Sequence, residues 1–330
     1  MEPIQRVAVV GAGYMGGGIA QSLAISGFEV WLADVDAEAT GKALDRLITE
    51  AEAFEADGLF PDGSTQRVRD GLHAAPSIED AVAEVDFVAE VDFVEEAVPE
   101  SPDIKRAVLS RIDPATRPGA IVGSNTSTIP VHVMADAFED PSRFLTVHWS
   151  NPAPFIPGVE IVAGERTDPA IIPVVEDMLA RAGRRGARVA DVPGFVLNRL
   201  QYVLLREAMA VVEEGVASAE DVDTIVSTTF GFRLPFFGPF AIADMAGLDV
   251  YAGGFKTLEA AFGERLAAPK VLTDLVAEGK HGTKTGAGFL EVDPDQRDQL
   301  IAYRNRAYKR MGDLLRELGP SPLASGDTSP

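Results

Sequence analysis

The 330-residue chain is long enough for about two domains, and its 46% hydrophobic and 24% charged residues are typical of a globular protein. The formal net charge of −22 argues against nucleic acid or an anionic membrane surface as a partner, because both need a basic footprint. The absence of cysteine excludes disulfides, thiolate catalysis and cysteine-ligated metal, and no apolar run approaches the ~20 residues that span a bilayer.

The chain begins with the order strand, glycine-rich turn, helix, strand. Residues 4–10 are rich in β-branched side chains, Gly11 to Gly18 follow, and a helical stretch ends at Gly27 before the strand EVWLAD. This order predicts a βαβ unit. Because the strand starts so early, we expect no signal or transit peptide and a cytoplasmic protein.

The alternation continues through the next part of the chain. Residues 37–57 show a helical pattern. Short apolar runs typical of strands follow at 85–94, 120–123, 144–148 and 159–163. We therefore predict an α/β fold with a Rossmann-type, doubly wound, mostly parallel sheet in a domain of residues 1–190. A tandem repeat, VDFVAE (85–90) beside VDFVEE (91–96), leaves the position of one strand ambiguous. We place that strand in the second copy.

The pattern becomes helical after DVPGF (191–195), which predicts a second, all-α domain of residues 191–330. It ends in a charged amphipathic helix at 295–318 and a Gly/Pro/Ser-rich tail, 319–330, that we expect to be disordered. The segment FRLPFFGPFAIADMAGL (232–248) is more apolar than an isolated surface should be. We expect it to lie at a subunit interface and predict a homodimer.

A dinucleotide fingerprint lies between the first strand and the first helix. Gly11, Gly13 and Gly16 match G-x-G-x-x-G around Tyr14 and Met15, and Asp34 ends the second strand about 20 residues later. The glycines allow a tight turn and a close approach of the backbone to a pyrophosphate at the helix N-terminus. Asp34 would bind the ribose hydroxyls and repel a 2′-phosphate. The sequence therefore predicts NAD as the cofactor.

A histidine and a carboxylate on neighbouring strands suggest an acid/base pair. His148 follows an apolar strand pattern in FLTVHWSNPAP, and Glu160 lies twelve residues later in PGVEIV. A carboxylate fixes the tautomer of an imidazole and stabilises its protonated form. Without context, such a pair is more often a structural hydrogen bond. The other histidines, His73, His132 and His281, receive no role, and no metal-ligand cluster appears in the sequence.

The motifs together resemble those of the 3-hydroxyacyl-CoA dehydrogenase family. The segments GAGYMGGGIA, EEAVPES, SNTS, HWSNP, GVEIV, DVPGFVLNRL, GPFAIAD and KTGAGF occur in the order of that family, over residues 4–315. The resemblance implies that a (3S)-3-hydroxyacyl-CoA is oxidised to the 3-oxoacyl-CoA, or the reverse, with hydride transfer to or from NAD. It implies that His148 takes the hydroxyl proton and that Glu160 is its partner.

The resemblance also assigns further residues. It implies that Ser127 binds the substrate oxygen and that Asn198 reaches the same oxygen from the second domain. It implies that Glu100 and Lys105 line the nicotinamide end of the cofactor and that Lys284 makes another cofactor contact. It implies that Asn151 positions the nicotinamide or the substrate. Glu100 precedes His148 by the expected spacing when the second VDFV copy is the strand.

The substrate is the most open part of this interpretation. The positions that offer Ser and Lys to the CoA phosphates in short-chain family members correspond to Glu50 and Asp57, which would repel phosphate. The same chemistry on a free hydroxy acid, such as gulonate, is the nearest alternative, and a non-enzymatic, crystallin-like NAD-binding protein is a more distant one. Trp149, where the family has Phe, is expected to reshape the pocket wall.

Overall fold

The computed structural model describes residues 3–83, 91–291 and 293–322. The chain divides into two compact units, residues 1–203 and 204–330. The predicted boundary at residue 190 stays a prediction. Most of the predicted tail, from residue 323 onward, and the first copy of the tandem repeat lie outside the described residues.

The first unit is built on one eight-stranded sheet with the order β3-β2-β1-β4-β5-β6-β7-β8. Every pairing is parallel except β6 with β7, which is antiparallel. The strands are β1 Arg6–Val10, β2 Glu29–Ala33, β3 Leu72–Ala74, β4 Phe93–Glu96, β5 Ile121–Ser124, β6 Phe144–Trp149, β7 Gly158–Ala163 and β8 Arg185–Ala190. The predicted Rossmann-type, mostly parallel sheet is confirmed, and β4 occupies the second VDFV copy.

Helices cover both faces of this sheet. The helices of the first unit are α1 Tyr14–Ile25, α2 Ala37–Ala56, α3 Ser64–Gly71, α4 Ile78–Val82, α5 Pro102–Ala115, α6 Val131–Met134 and α7 Ile172–Arg181. One buried apolar cluster joins the sheet to α1, α2, α3 and α7, and a second joins its other face to α4, α5 and α6. Each fully buried aliphatic side chain in these layers contributes about 1.5–3 kcal/mol.

The edge strand β8 was not predicted. Its sequence, RGARVA, is largely exposed, so it lacks the apolar run that marks the central strands. It pairs along its whole length with β7, from Gly158↔Arg185 to Ala163↔Ala190. Backbone pairing, rather than side-chain burial, therefore positions it.

The rest of the chain is helical, as predicted. The helices are α8 Leu197–Glu213, α9 Ala219–Thr228, α10 Phe230–Arg233, α11 Pro239–Ala246, α12 Leu248–Phe262, α13 Lys270–Ala277 and α14 Arg297–Leu318. Tyr308 of α14 contacts the rings of Phe232 and Phe236, so α14 covers part of the apolar segment 232–248 within the chain. Among the described helices, none is both long enough and apolar enough to cross a membrane.

Candidate active site

The glycine-rich turn lies where the strand order reverses between β1 and β4. Ligands of doubly wound sheets bind at such a switch point, at the carboxyl ends of the strands. Gly11 has φ +101°, and a Cβ there would lie 2.7 Å from the carbonyl oxygen of Ala97. A Cβ on Gly16 would lie 1.8 Å from the Gly11 oxygen, whereas one on Gly13 would meet nothing within 4 Å. The backbone of Gly13 is therefore open to a close ligand, and Gly11 and Gly16 are required by the turn itself.

Asp34 lies directly beside this turn. One carboxylate oxygen accepts the Ala12 N–H at 2.8 Å, and the other accepts the Val35 N–H at 2.7 Å. These two bonds fix the carboxylate next to the glycine turn, with lone pairs left for other donors. This is the position that a ribose-binding acidic residue occupies in dinucleotide-binding folds.

A cavity of about 680 Å³ extends from the turn. It is lined by Gly11, Gly13, Tyr14, Met15 and Asp34, which the sequence predicted. Its remaining wall includes apolar side chains that were not predicted, because no local motif marks them: Val35, Ile78, Ile104 and Val108. An apolar wall, a carboxylate and an open helix N-terminus suit the adenosine and pyrophosphate of NAD, so the residues present fit this cofactor.

His148 and Glu160 form a hydrogen-bonded pair. They stand directly opposite each other in the antiparallel pairing of β6 with β7, which places both side chains on one face of the sheet. His148 Nδ1 lies 2.8 Å from Glu160 Oε2, and the side chains are only 5% and 11% exposed. With Nδ1 donating to the carboxylate, the neutral ring keeps Nε2 as an acceptor.

The second oxygen of Glu160 binds the beginning of α8. Glu160 Oε1 accepts the N–H groups of Val196 and Leu197, each at 2.9 Å. Burial raises the pKa of Glu160, but the hydrogen bonds from His148, Leu197 and Val196 outweigh it and hold the pKa below its ordinary value. Glu160 is therefore ionised at neutral pH beside the imidazole.

The same helix brings Asn198 to the loop that follows β5. Asn198 Nδ2 donates to the carbonyl oxygen of Ser127 at 2.8 Å. In that loop, Asn125 Oδ1 accepts the N–H of Trp149, the residue after His148, also at 2.8 Å. A continuous set of contacts therefore joins four predicted catalytic residues: His148, Glu160, Asn198 and Ser127.

Glu100 also binds this loop. Its Oε1 accepts the Thr126 hydroxyl at 2.8 Å and the N–H groups of Ser127 and Thr128 at 3.0 and 2.9 Å. Although burial raises the pKa of Glu100, the bond from Thr126 and the charge of Lys105 bring it below the usual value. Lys105 itself is buried, with its Nζ 2.9 Å from Glu96. Their contacts with the cofactor stay predictions.

Three other expectations concern single side chains. Asn151 is exposed just beyond β6, and Lys284 of the helical unit lies against Asp249 at 2.9 Å. Their roles as cofactor contacts stay predictions.

The expectation that Trp149 reshapes the pocket wall was wrong. Trp149 is 1% exposed and lies in the core, because side chains of β6 alternate between the two faces of the sheet and Trp149 faces away from His148. Among the described residues, no three His, Asp or Glu side chains form a potential metal site.

The fold and the glycine turn define a protein of the dinucleotide-binding class, and comparison with known proteins gives the family. Residues 6–192 match the model for the 3-hydroxyacyl-CoA dehydrogenase NAD-binding domain, and residues 194–292 match that family's C-terminal domain. The chain belongs to the 3-hydroxyacyl-CoA dehydrogenase family. It is an NAD-dependent oxidoreductase acting on CH–OH groups.

Individual relatives differ in their named substrates. The chain is 36% identical to 5-formyl-3-hydroxy-2-methylpyridine 4-carboxylate 5-dehydrogenase of Mesorhizobium japonicum, covering 92% of this chain and 96% of that protein. It is 35% identical to L-carnitine dehydrogenase of Streptomyces coelicolor, covering 94% and 97%. The solved structure of 3-hydroxyacyl-CoA dehydrogenase from Archaeoglobus fulgidus matches with a TM-score of 0.75 at 32% identity, covering 96% and 99%.

Proposed function

We propose that this enzyme oxidises the hydroxyl group of a 3-hydroxy acid to a ketone, or catalyses the reverse reduction, with His148 as the acid/base. The observation that carries this proposal is the buried His148–Glu160 pair, whose carboxylate is also held by the N-terminus of α8. Gly11, Gly13 and Asp34 would hold NAD⁺, which would supply the acceptor for the hydride of the hydroxyl-bearing carbon. His148 Nε2 takes the hydroxyl proton, and the Glu160 carboxylate stabilises the imidazolium that forms.

The contacts around Ser127 support roles for two more residues. A substrate oxygen that gains negative charge during proton transfer needs hydrogen-bond donors. The Ser127 hydroxyl and the Asn198 amide are such donors, and the bond from Asn198 Nδ2 to the Ser127 backbone holds them near each other. We propose that they orient this oxygen toward His148, as the resemblance implies.

For the substrate, we propose a free hydroxy acid in preference to a CoA thioester. The second half of α2 carries Glu50 and Glu52 on its surface, with side chains 42% and 50% exposed, and the exposed Asp57 follows directly after the helix. Two nearby cations are already paired, since Arg46 lies 3.8 Å from Glu50 and Arg69 binds Glu52. A surface of this charge repels the phosphates of CoA. The carnitine and pyridine-carboxylate relatives fit this preference.

The CoA thioester stays the second candidate, because both family models and the Archaeoglobus fulgidus structure carry that name. The experiment follows NADH formation with (S)-3-hydroxybutyryl-CoA, 3-hydroxybutyrate, L-gulonate and L-carnitine. We expect turnover of at least one free acid and little of the thioester. Faster turnover of the thioester than of every free acid would overturn the preference.

A matched variant tests the electrostatic reason. Glu50→Ser combined with Asp57→Lys removes two carboxylates and adds one cation on the surface formed by α2 and the residue that caps it. If repulsion excludes CoA, the double variant gains activity on the thioester and keeps its activity on the free acid. A variant with no gain on the thioester would show that charge on α2 does not select the substrate.

We also propose that the enzyme is a cytoplasmic homodimer. No residue of α8 is buried, and its exposed large hydrophobic side chains are Leu200, Tyr202, Val203, Leu204, Leu205, Met209 and Val212. Monomeric proteins rarely expose large apolar patches, so this number of exposed apolar side chains on one helix favours a partner. A second copy of the chain is the partner we expect, and light scattering should give twice the 35.1 kDa of one chain.

A further inference from the structure

The helical unit contains a cavity of its own, of about 480 Å³. Its lining residues all lie between Phe237 and Arg306, so it shares none with the glycine turn or with the His148–Glu160 pair. The cavity is lined by α11, the segment 282–291 and one face of α14. Small-molecule sites have volumes of about 300–1,000 Å³, so this cavity is large enough for a ligand.

The wall that α14 contributes lies outside the part of the chain that matches the family. Residues 194–292 match the family's C-terminal domain, whereas α14 is Arg297–Leu318. Leu300, Tyr303 and Arg306 of α14 line the cavity at the spacing of one helix face. Membership of the family therefore does not by itself account for this cavity.

Asp244 of α11 fixes the wall opposite α14. Its two carboxylate oxygens accept the N–H groups of Phe289 and Leu290 at 3.0 and 2.8 Å, and its carbonyl oxygen accepts the N–H of Thr283 at 3.0 Å. A Cβ on Gly288 would lie 2.1 Å from Asp244 Oδ1, so this contact requires glycine. The segment 282–291 is therefore held against α11, and the buried Asp244 carboxylate is already engaged.

Much of the cavity lining is apolar. Phe237, Met245, Leu290 and Leu300 contribute to it. Phe237 is 8% exposed, and its ring meets that of Tyr303 edge to face, with the centroids 5.8 Å apart at an angle of 89°. Moving apolar surface from water onto such side chains is favourable, so the lining favours a ligand with an apolar body.

Arg306 gives the cavity an unpaired positive charge. Within the described part of the chain it has no hydrogen bond or ion pair, although the sequence has 51 acidic residues and 29 basic ones. Of the two acidic lining residues, Asp244 is engaged and Glu291 has a cation nearby: the pKa of Lys280 is raised by its hydrogen bond to Glu278 and, less strongly, by the charge of Glu291. The charge that lacks a partner is therefore positive.

We infer that this cavity binds a compact apolar carboxylic acid, with its carboxylate on Arg306 and its apolar body against Phe237 and Leu300. A guanidinium holds a carboxylate through two parallel hydrogen bonds. One cation matches the single charge of a carboxylate, whereas the two charges of a phosphate need more. This site goes beyond the proposed oxidation and does not depend on it.

The test compares the binding of phenylbutyrate with that of its uncharged amide, phenylbutyramide, by titration calorimetry. The wild type should bind the acid about tenfold more tightly than the amide, because only the acid forms an ion pair with Arg306. In Arg306→Met, the Kd for the acid should rise about tenfold, and the Kd for the amide should change by less than about twofold. Arg306→Lys keeps the charge without the paired geometry and should recover part of the affinity.

Two further variants locate the site. Ala241→Leu extends a larger side chain from the cavity lining, and the Kd should rise for both ligands because their apolar body loses its space. Arg310→Met removes the same charge one turn further along α14, outside the lining, and should bind both ligands as the wild type does. Thermal unfolding of every variant checks that the fold is intact.

Four outcomes would overturn the inference. Equal affinity of the wild type for the acid and the amide would show that Arg306 does not bind the carboxylate. An unchanged Kd for the acid in Arg306→Met or in Ala241→Leu would place the acid elsewhere, the catalytic pair included. An equal loss in Arg310→Met would show a general effect of charge, and no binding up to about 10 mM would remove the site. Because these measurements need no turnover, failure of this site is distinguishable from failure of the proposed oxidation.

Discussion

Two histidine–glutamate pairs occur at opposite regions of the same sheet. His148 and Glu160 meet at 2.8 Å across β6 and β7, and His73 and Glu29 meet at 2.9 Å near the edge formed by β2 and β3. The first pair is 5% and 11% exposed, and the second is 39% and 57% exposed. Nearly identical contacts therefore exist in very different surroundings.

The difference shows that a His–Glu contact is not by itself a catalytic site. The exposed pair lies in high dielectric, where such an interaction contributes about 0–1 kcal/mol. The buried pair is shielded from water, and its carboxylate is held from the other side by Val196 and Leu197. Only the buried pair holds its carboxylate in a fixed position against one ring nitrogen and away from water, which is what an acid/base needs.

Among the carboxylate substitutions, the largest effect is expected when the glutamates of the two pairs are replaced in turn. Glu160→Gln removes the charge that stabilises the His148 imidazolium. It also weakens the hydrogen bonds that the N–H groups of Val196 and Leu197 donate to this side chain. We expect kcat/KM for the substrate found in the panel to fall by about 10²-fold. Glu29→Gln, the same substitution in the exposed pair, should leave kcat/KM unchanged. An equal effect of the two substitutions would remove the distinction between the pairs.

A smaller effect, on stability, is expected at Glu95, whose carboxyl group is buried without a hydrogen-bond partner. Glu95 is fully buried, and neither of its carboxylate oxygens is hydrogen-bonded. Burial, with the neighbouring charge of Glu96, raises the pKa of Glu95 well above its usual value despite the charge of Lys105. Replacing it with leucine should increase the free energy of unfolding at neutral pH by about 1–3 kcal/mol.

The pH dependence of this gain has a definite sign. The pKa of Glu95 is raised in the folded state, so as the pH rises this carboxyl group ionises more readily in the unfolded chain than in the folded one. Glu95 therefore destabilises the native state increasingly as the pH rises above its usual pKa. Denaturant unfolding at about pH 5 and pH 8 should therefore show a larger gain for Glu95→Leu at the higher pH. Glu29→Leu is the exposed control. A Glu95→Leu variant less stable than the wild type would contradict this account.

Much of the fold could be predicted because its signals are local. The glycine fingerprint, the apolar strands and the helical pattern after residue 191 are each contained in one short segment. The edge strand β8 was missed because its side chains are exposed, and only its pairing with β7 defines it.

The contacts of the site could be predicted only where the residues lie close together in the sequence. His148 and Glu160 are twelve residues apart on adjacent strands, so their meeting could be anticipated. His73 and Glu29 are 44 residues apart and meet only because β2 and β3 pair in parallel. Likewise, nothing local marks Glu96 as the partner of Lys105, since both are ordinary surface residue types.

The central claim is that His148 takes the proton of the substrate hydroxyl, and that His73, which also contacts a glutamate, does not. The most direct measurement compares kcat of His148→Gln with that of His73→Gln on the substrate that the wild type oxidises, with NADH affinity measured in both. We predict a loss of about 10²–10⁴-fold in His148→Gln, with unchanged NADH binding, and wild-type turnover in His73→Gln. Equal turnover by the two variants would contradict the assignment of His148 as the acid/base.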